Sequence, residues 1–202
     1  MLLKQLKLKN TDNFCYIVAC QDSKKCAIID PGADKKSIME YIVKNNLTLV
    51  YILGTHFHYD HTDLAESIKQ EIGARLAMHE DDVPYYGKEV DIILHDGDII
   101  EIGNTVKLKV IHTPGHTPGG VCFYGDGKIF TGDTLFVGDS GRTDLPYGNR
   151  QMLGASIRKL MKLPEDTIIL PGHDYGATPT STLALEKKHN VNAKEYGFYV
   201  SG

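Results

Sequence analysis

The stretch GTHFHYDHTD, Gly54 to Asp63, places three histidines and two aspartates in ten residues. It follows LTLVYIL, an apolar, β-branched run at residues 47–53 that reads as a buried strand. Imidazoles and carboxylates are costly to bury, so a strand ending in them needs a reason. Metal binding supplies one, because neutral imidazole and carboxylate are ligands for zinc and iron. In an extended segment, residues i and i+2 point to the same side. His56 and His58 can therefore bind one ion from one face. Asp63 and Glu66 have capping-box spacing, so a helix is expected over residues 63–72. The turn into it lets Asp60 and His61 address a second position close by.

Three further polar residues recur just past apolar strands. His116 follows LKVIHTPG, Asp133 follows KIFTG, and His173 follows TIILPG. A glycine immediately precedes each, which lets backbone approach a crowded centre without a Cβ clash. Taken together, these strand tips offer five histidines and two aspartates. That is enough for two ions with three private ligands each and one shared carboxylate. His79, His95, His112 and His189 lack such partners along the chain and read as structural or surface residues.

The pattern THFHYDH, with PGHTPG, TGD and PGHDYG, resembles the metallo-β-lactamase fold hydrolases over about residues 14–190. The resemblance implies an α/β fold, a four-layer αβ/βα sandwich with the site at one edge. It implies that His56, His58 and His116 bind one metal. Asp60, His61 and His173 would bind the second, and Asp133 would bridge the two. The cofactor implied is a pair of divalent ions, zinc first, with iron and manganese suited to the same ligands.

The rest of the chain agrees with a globular enzyme. Of 202 residues, 42% are hydrophobic and 24% charged, and the formal net charge of -4 gives no general attraction to nucleic acid. No apolar run reaches the roughly 18 residues of a membrane span. The start, MLLKQLKLKNTDN, alternates like a strand and lacks the unbroken apolar core of a signal peptide. Cys15, Cys20, Cys26 and Cys122 form no C-x-x-C pair and read as reduced, buried or half-buried thiols of a cytoplasmic protein.

The periodicities give strands at 2–8, 14–19, 26–29, 48–53, 75–78, 99–102, 106–111, 121–124, 128–131 and 167–170. Helices are expected at 34–45, 63–72, 151–162 and 181–190, with HEDDVPYYG (79–87) as a short helix or loop. The order suggests two similar halves, each a sheet with helices outside. No linker interrupts residues 1–202, which are assigned to one domain. The final stretch, NAKEYGFYVSG, is apolar enough to dock on this chain or another, and homo-oligomerisation is left open.

A two-metal site holds a bridging water as hydroxide and stabilises an anionic tetrahedral intermediate. Asp60 is the residue expected to orient that hydroxide. No general acid stands out in the motifs, which fits a leaving group that departs unaided. A thiolate does so, because a thiol pKa of ~8.5 lies near neutrality.

The loop GDSGRTDLPYGN resembles the glyoxalase II branch, whose members hold glutathione with a basic residue and an aromatic two positions on. Arg142 matches the basic position, whereas Asp144 stands where the aromatic would be. Arg142 is a candidate clamp for a substrate carboxylate, and an internal Arg142–Asp144 bridge is the competing role. Tyr147 and Tyr175 are candidates for lining the pocket. The expected partner is a small thioester or glutathione-linked molecule such as hydroxyacylglutathione. GRTD together with HDYG also resembles persulfide dioxygenases. There a single iron would be held by His56, His116 and Asp133.

Overall fold

The computed structural model describes residues 1–200. The first half runs β1 (Leu2–Lys7), β2 (Phe14–Ala19), β3 (Lys25–Ile29), α1 (Lys35–Lys44), β4 (Thr48–Leu53), α2 (Tyr59–Thr62), α3 (Ala65–Ile72), β5 (Arg75–His79), α4 (Val83–Tyr86) and β6 (Ile92–Leu94). The second runs β7 (Ile99–Ile102), β8 (Val106–His112), β9 (Val121–Gly125), β10 (Lys128–Gly132), α5 (Arg150–Leu160), β11 (Ile168–Pro171), β12 (Ser181–Thr182) and α6 (Leu183–His189). Each half contributes a six-stranded sheet, in order β1-β2-β3-β4-β5-β6 and β12-β11-β10-β9-β8-β7.

Side-chain alternation decides how these sheets stack. Phe14, Tyr16 and Val18 of β2 point to the interior between the sheets, where they join Leu53 from β4 and Val110, Phe123 and Phe130 from the second sheet. Their neighbours Cys15, Ile17 and Ala19 point the other way, onto Ile38 and Ile42 of α1 and Ile68 of α3. On the far side Cys122, Ile129 and Ile169 pack under Leu153, Ile157 and Leu160 of α5. Burial on both faces explains why β2 shows no polar alternation. The result is helix, sheet, sheet, helix: the expected αβ/βα sandwich.

Several local expectations change. The Asp63–Glu66 capping box does not form. Asp63 has helical backbone (φ -51°, ψ -43°) and closes the short α2, and α3 begins without a side-chain cap. An N-cap needs extended backbone, which Asp63 lacks because its N–H already bonds Tyr59 O. The turn away from β4 therefore comes at Tyr59, earlier than the sequence suggests. β6 has three residues, too few to show a period, and β12 takes the first two residues of the segment expected to be helical. Thr182 then caps α6 by accepting from Leu185 N–H. In the C-terminal stretch Ala193, Tyr196 and Phe198 dock on this chain's own α5 layer, while residues 201–202 lie outside the described part.

All four cysteines are free and buried. No helix among the described residues is long and apolar enough to cross a membrane.

Candidate metal centre

The strand tips β3, β4, β8, β10 and β11 open onto one rim, and the seven expected ligands meet there. Three groups gather: His56, His58 and His116; His56, His61 and Asp133; and Asp60, His61 and His173, each with its ligand-type atoms within 4.8 Å of one another. His58 keeps extended backbone (φ -57°, ψ 142°), and α2 starts immediately after it, so Asp60 and His61 approach the centre from the first turn of a helix.

Hydrogen bonds fix which ring nitrogen faces the centre. Thr55 Oγ1 donates to Asp30 Oδ2 (2.7 Å), so its oxygen accepts from His56 Nδ1–H (3.0 Å). This leaves His56 Nε2 as a buried acceptor without a partner. His116 Nδ1–H donates to the Arg142 carbonyl (2.7 Å), and its bare Nε2 faces His58 Nδ1 at 2.9 Å. His61 Nδ1–H donates to Asp30 Oδ2 (3.0 Å), and its Nε2 faces His173 Nε2 at 3.2 Å. Asp133 touches both sides, with Oδ1 3.3 Å from His61 Nε2 and Oδ2 3.5 Å from His116 Nε2 and 3.2 Å from His173 Nε2. Asp60 Oδ2 lies 3.5 Å from the Nε2 atoms of His61 and His173.

Lone pairs facing lone pairs at these distances repel unless a proton or a cation lies between them. At the centre itself, His56 Nε2 and Asp133 Oδ1 are buried without a hydrogen-bond partner, which is rare in folded proteins. The donor set, imidazole and carboxylate, suits divalent zinc, iron or manganese. The residues present therefore fit a metal pair.

Protonation follows the same geometry. Burial, then the neighbouring His61 charge, holds His56 well below its usual range. Burial likewise pushes His58 down to about 4. His61 goes the other way: burial opposes its charge, but Asp133 and Asp30 outweigh it and raise it well above the usual value. Asp133 is held well below the carboxylate range, because His61, His173 and His56 overcome its burial.

The rim is crowded enough to require glycine. A Cβ on Gly172 would overlap Asp133 Oδ1 and sit 2.8 Å from His61 Cε1, and one on Gly32 would overlap the Asp60 carbonyl. The glycine before His173 thus serves the close approach its position in the sequence suggests.

Three supporting residues escaped the sequence reading. Asp30, at the tip of β3, accepts Thr55 N–H (2.8 Å) as well as its bonds from Thr55 and His61, and holds a left-handed φ of 53°. DPG after a strand was its only signal. Asn13 Nδ2 donates to Asp60 Oδ2 (2.9 Å), and nothing in the sequence marks it. Asp82 is fully buried and accepts from Phe57 N–H (3.0 Å), Thr117 Oγ1 (2.9 Å) and Gly119 N–H (2.6 Å), tying together the loops that carry His56, His58 and His116. Its burial pushes the carboxyl up to about 6.

The other candidates lie around the opening. Arg142 is exposed and forms a bidentate pair with Asp144 (2.7 Å twice), which holds Asp144 down to about 2. The internal bridge is thus present. Tyr175 stacks on His173 (centroids 4.6 Å, interplanar 7°), and Tyr147 packs on Tyr85 (4.2 Å). His79 and His112 are not isolated, contrary to the sequence reading. Their rings stack at 3.9 Å and 15°, beside Asp81. Sequence spacing could not show this, since the two lie at the ends of different sheets.

Comparisons with known proteins place the chain. Residues 9–173 match the family model of the metallo-beta-lactamase superfamily, and the chain belongs to that superfamily. Among its relatives are a hydroxyacylglutathione hydrolase from Pelagibacter ubique, 34% identical across 91% of this chain and 75% of that one, and hydroxyacylglutathione hydrolase GloC from Haemophilus influenzae, 35% identical across 86% and 90%. Similar solved structures include BLEG-1 B3 metallo-beta-lactamase (TM-score 0.86, 31% identity, 95% of this chain and 99% of that one). ETHE1 from Myxococcus xanthus matches with TM-score 0.87 at 26% identity over 99% and 88%. TTHA1623 in a di-iron-bound form matches with TM-score 0.79 at 29% identity over 93% and 98%.

Proposed function

We propose that this chain is a dinuclear metal-dependent hydrolase of thioesters, with hydroxyacylglutathione-type molecules as the substrate class. The observation that carries the metal reading is the convergence of five histidines and two aspartates on one rim, with their ligand-type atoms grouped within 4.8 Å and with His56 Nε2 and Asp133 Oδ1 buried without a hydrogen-bond partner. His56, His58 and His116 would hold one divalent ion, Asp60, His61 and His173 the other, and Asp133 would be shared. Zinc is the first choice, and iron or manganese suits the same donors. Two such ions supply a water ionised near neutral pH and a positive charge that polarises a carbonyl.

The chain's own residues do the rest. Asp60, held by Asn13, would orient the attacking hydroxide. Asp30 and Thr55 fix the tautomers of His61 and His56. Among the described residues, the side chains outside the ligand set that hydrogen-bond the ligands' own side chains are Asn13, Asp30 and Thr55, none of them an acid suited to protonating a leaving group. A thiolate leaving group needs none, which favours thioesters over amides. The relatives named hydroxyacylglutathione hydrolase support the same substrate class. Arg142, exchanging Asp144 for a substrate carboxylate, and Tyr147 and Tyr175 at the opening would bind the rest of the molecule.

A second reading is kept because the likeness to ETHE1 extends over nearly the whole chain. It is a single-iron persulfide dioxygenase using His56, His116 and Asp133. Oxygen uptake by iron-loaded protein supplied with glutathione persulfide separates the two. No uptake, with turnover of a thioester panel, supports the hydrolase. Rapid uptake with sulfite formed overturns it.

A further inference from the structure

We propose that Phe57, Tyr85 and Tyr147 form an aromatic rail that recognises an apolar arm of the substrate, so that the preferred thioesters carry an aryl group or an extended alkyl chain. The proposal rests on the thioester reading for the substrate's core, but the rail itself is read from geometry alone. The rings are continuous with the metal centre. His58 meets Phe57 edge to face at 4.7 Å, Phe57 meets Tyr85 at 5.4 Å, and Tyr85 meets Tyr147 at 4.2 Å. The outer two are open to solvent, with Tyr85 40% and Tyr147 57% exposed. A line of large exposed rings beside a polar site is the kind of patch that marks a ligand groove.

Tyr147 supplies the independent observation. Gly148 N–H donates to the Leu145 carbonyl (3.0 Å), closing a turn with Pro146 second and Tyr147 third. Tyr147 has φ +70°, the left-handed conformation that this turn position demands and that glycine or asparagine normally fills. Among the described residues, seven non-glycine positions have positive φ; five are Asn or Asp, and Tyr147 is the one aromatic. Such strain persists only where the surroundings hold it and tends to gather at functional sites. Local backbone preference alone would select glycine here. At this position the ring extends the wall begun at Phe57 and continued by Tyr85. Tyr147 also sits in the loop whose Arg142 carbonyl accepts from His116, so the rail and the candidate ligands share one segment.

The test separates binding from turnover. Metal-loaded protein is titrated calorimetrically with two non-hydrolysable thioethers, S-benzyl- and S-methyl-N-acetylcysteamine. The wild type is expected to bind the benzyl compound roughly 10-fold more tightly, the scale of one buried ring with aromatic contacts. Tyr147→Gly should cut that ratio to about 3-fold or less while Tm does not fall, because glycine suits this φ. Tyr85→Leu should cut it as well, through a change that leaves the turn alone. A wild-type ratio near one, or a ratio that both variants preserve, overturns the rail. If the ratio behaves as expected but phenylacetyl and acetyl thioesters are not hydrolysed, the rail stands and the hydrolase reading falls.

Discussion

His61, in the short α2, and His79, at the end of β5, are both buried imidazoles with carboxylates nearby, yet they face opposite situations. His61 donates Nδ1–H to Asp30 at 3.0 Å, and its Nε2 is aimed at Asp133 and His173. His79 uses Nδ1 to accept from Asp81 N–H at 3.3 Å, and its ring lies flat on His112. Parallel rings carry their in-plane lone pairs side by side, so they do not converge on one ion. His112 Nε2–H is also occupied by the Pro118 carbonyl at 2.9 Å. Charge follows geometry: carboxylates raise His61 against its burial, whereas burial and His112 lower His79. Two clusters of the same residue types thus differ in where their nitrogens point, and orientation rather than composition makes one of them the candidate metal centre.

The sharpest way to break this comparison is Asp133→Ala. Removing the shared carboxylate should leave a folded protein with little bound metal by elemental analysis and thioester hydrolysis reduced ~10³-fold or more. Full metal and full turnover in that variant would sink the assignment.

Asp30→Asn tests orientation itself. Loss of the carboxylate that holds His61 should weaken metal binding ~10–100-fold without removing a ligand. It should also change the proton count. In the metal-free chain the raised His61 adds stability that is fully present below its unfolded pKa of ~6.5 and is lost as pH rises through its folded value. A metal ion must displace that proton, so calorimetry in buffers of different ionisation enthalpy should show proton release near neutral pH that shrinks in Asp30→Asn.

The smallest effect belongs to the other cluster. His79→Ala should lower stability by ~1–3 kcal/mol in denaturant unfolding, as for other buried truncations, and leave metal stoichiometry unchanged. A drop in bound metal would place a further ion at His79 and His112.

Particular residues show how far the sequence could be read. The candidate ligands were legible because each lies in a segment just past an apolar strand, a local feature marked by the apolar run and a glycine; Asp60 and His61 follow in the short α2. Asp30 was half legible, since DPG marks a turn but not a partner for His61. Asn13, Asp82 and Tyr85 were not legible, because their roles depend on contacts between segments far apart in the chain. The missed capping box has a local cause, since Asp63 was already committed to α2.

The sequence by itself determined the layered α/β architecture and which residues are candidate ligands, since side-chain period and residue spacing are carried along the chain. Only the tertiary structure decided which nitrogen of each histidine faces the centre, that His79 stacks instead of ligating, and that Tyr147 joins a rail leading away from His58. Those are matters of direction between elements, and direction is set when two sheets pack, not by the order of residues within either one.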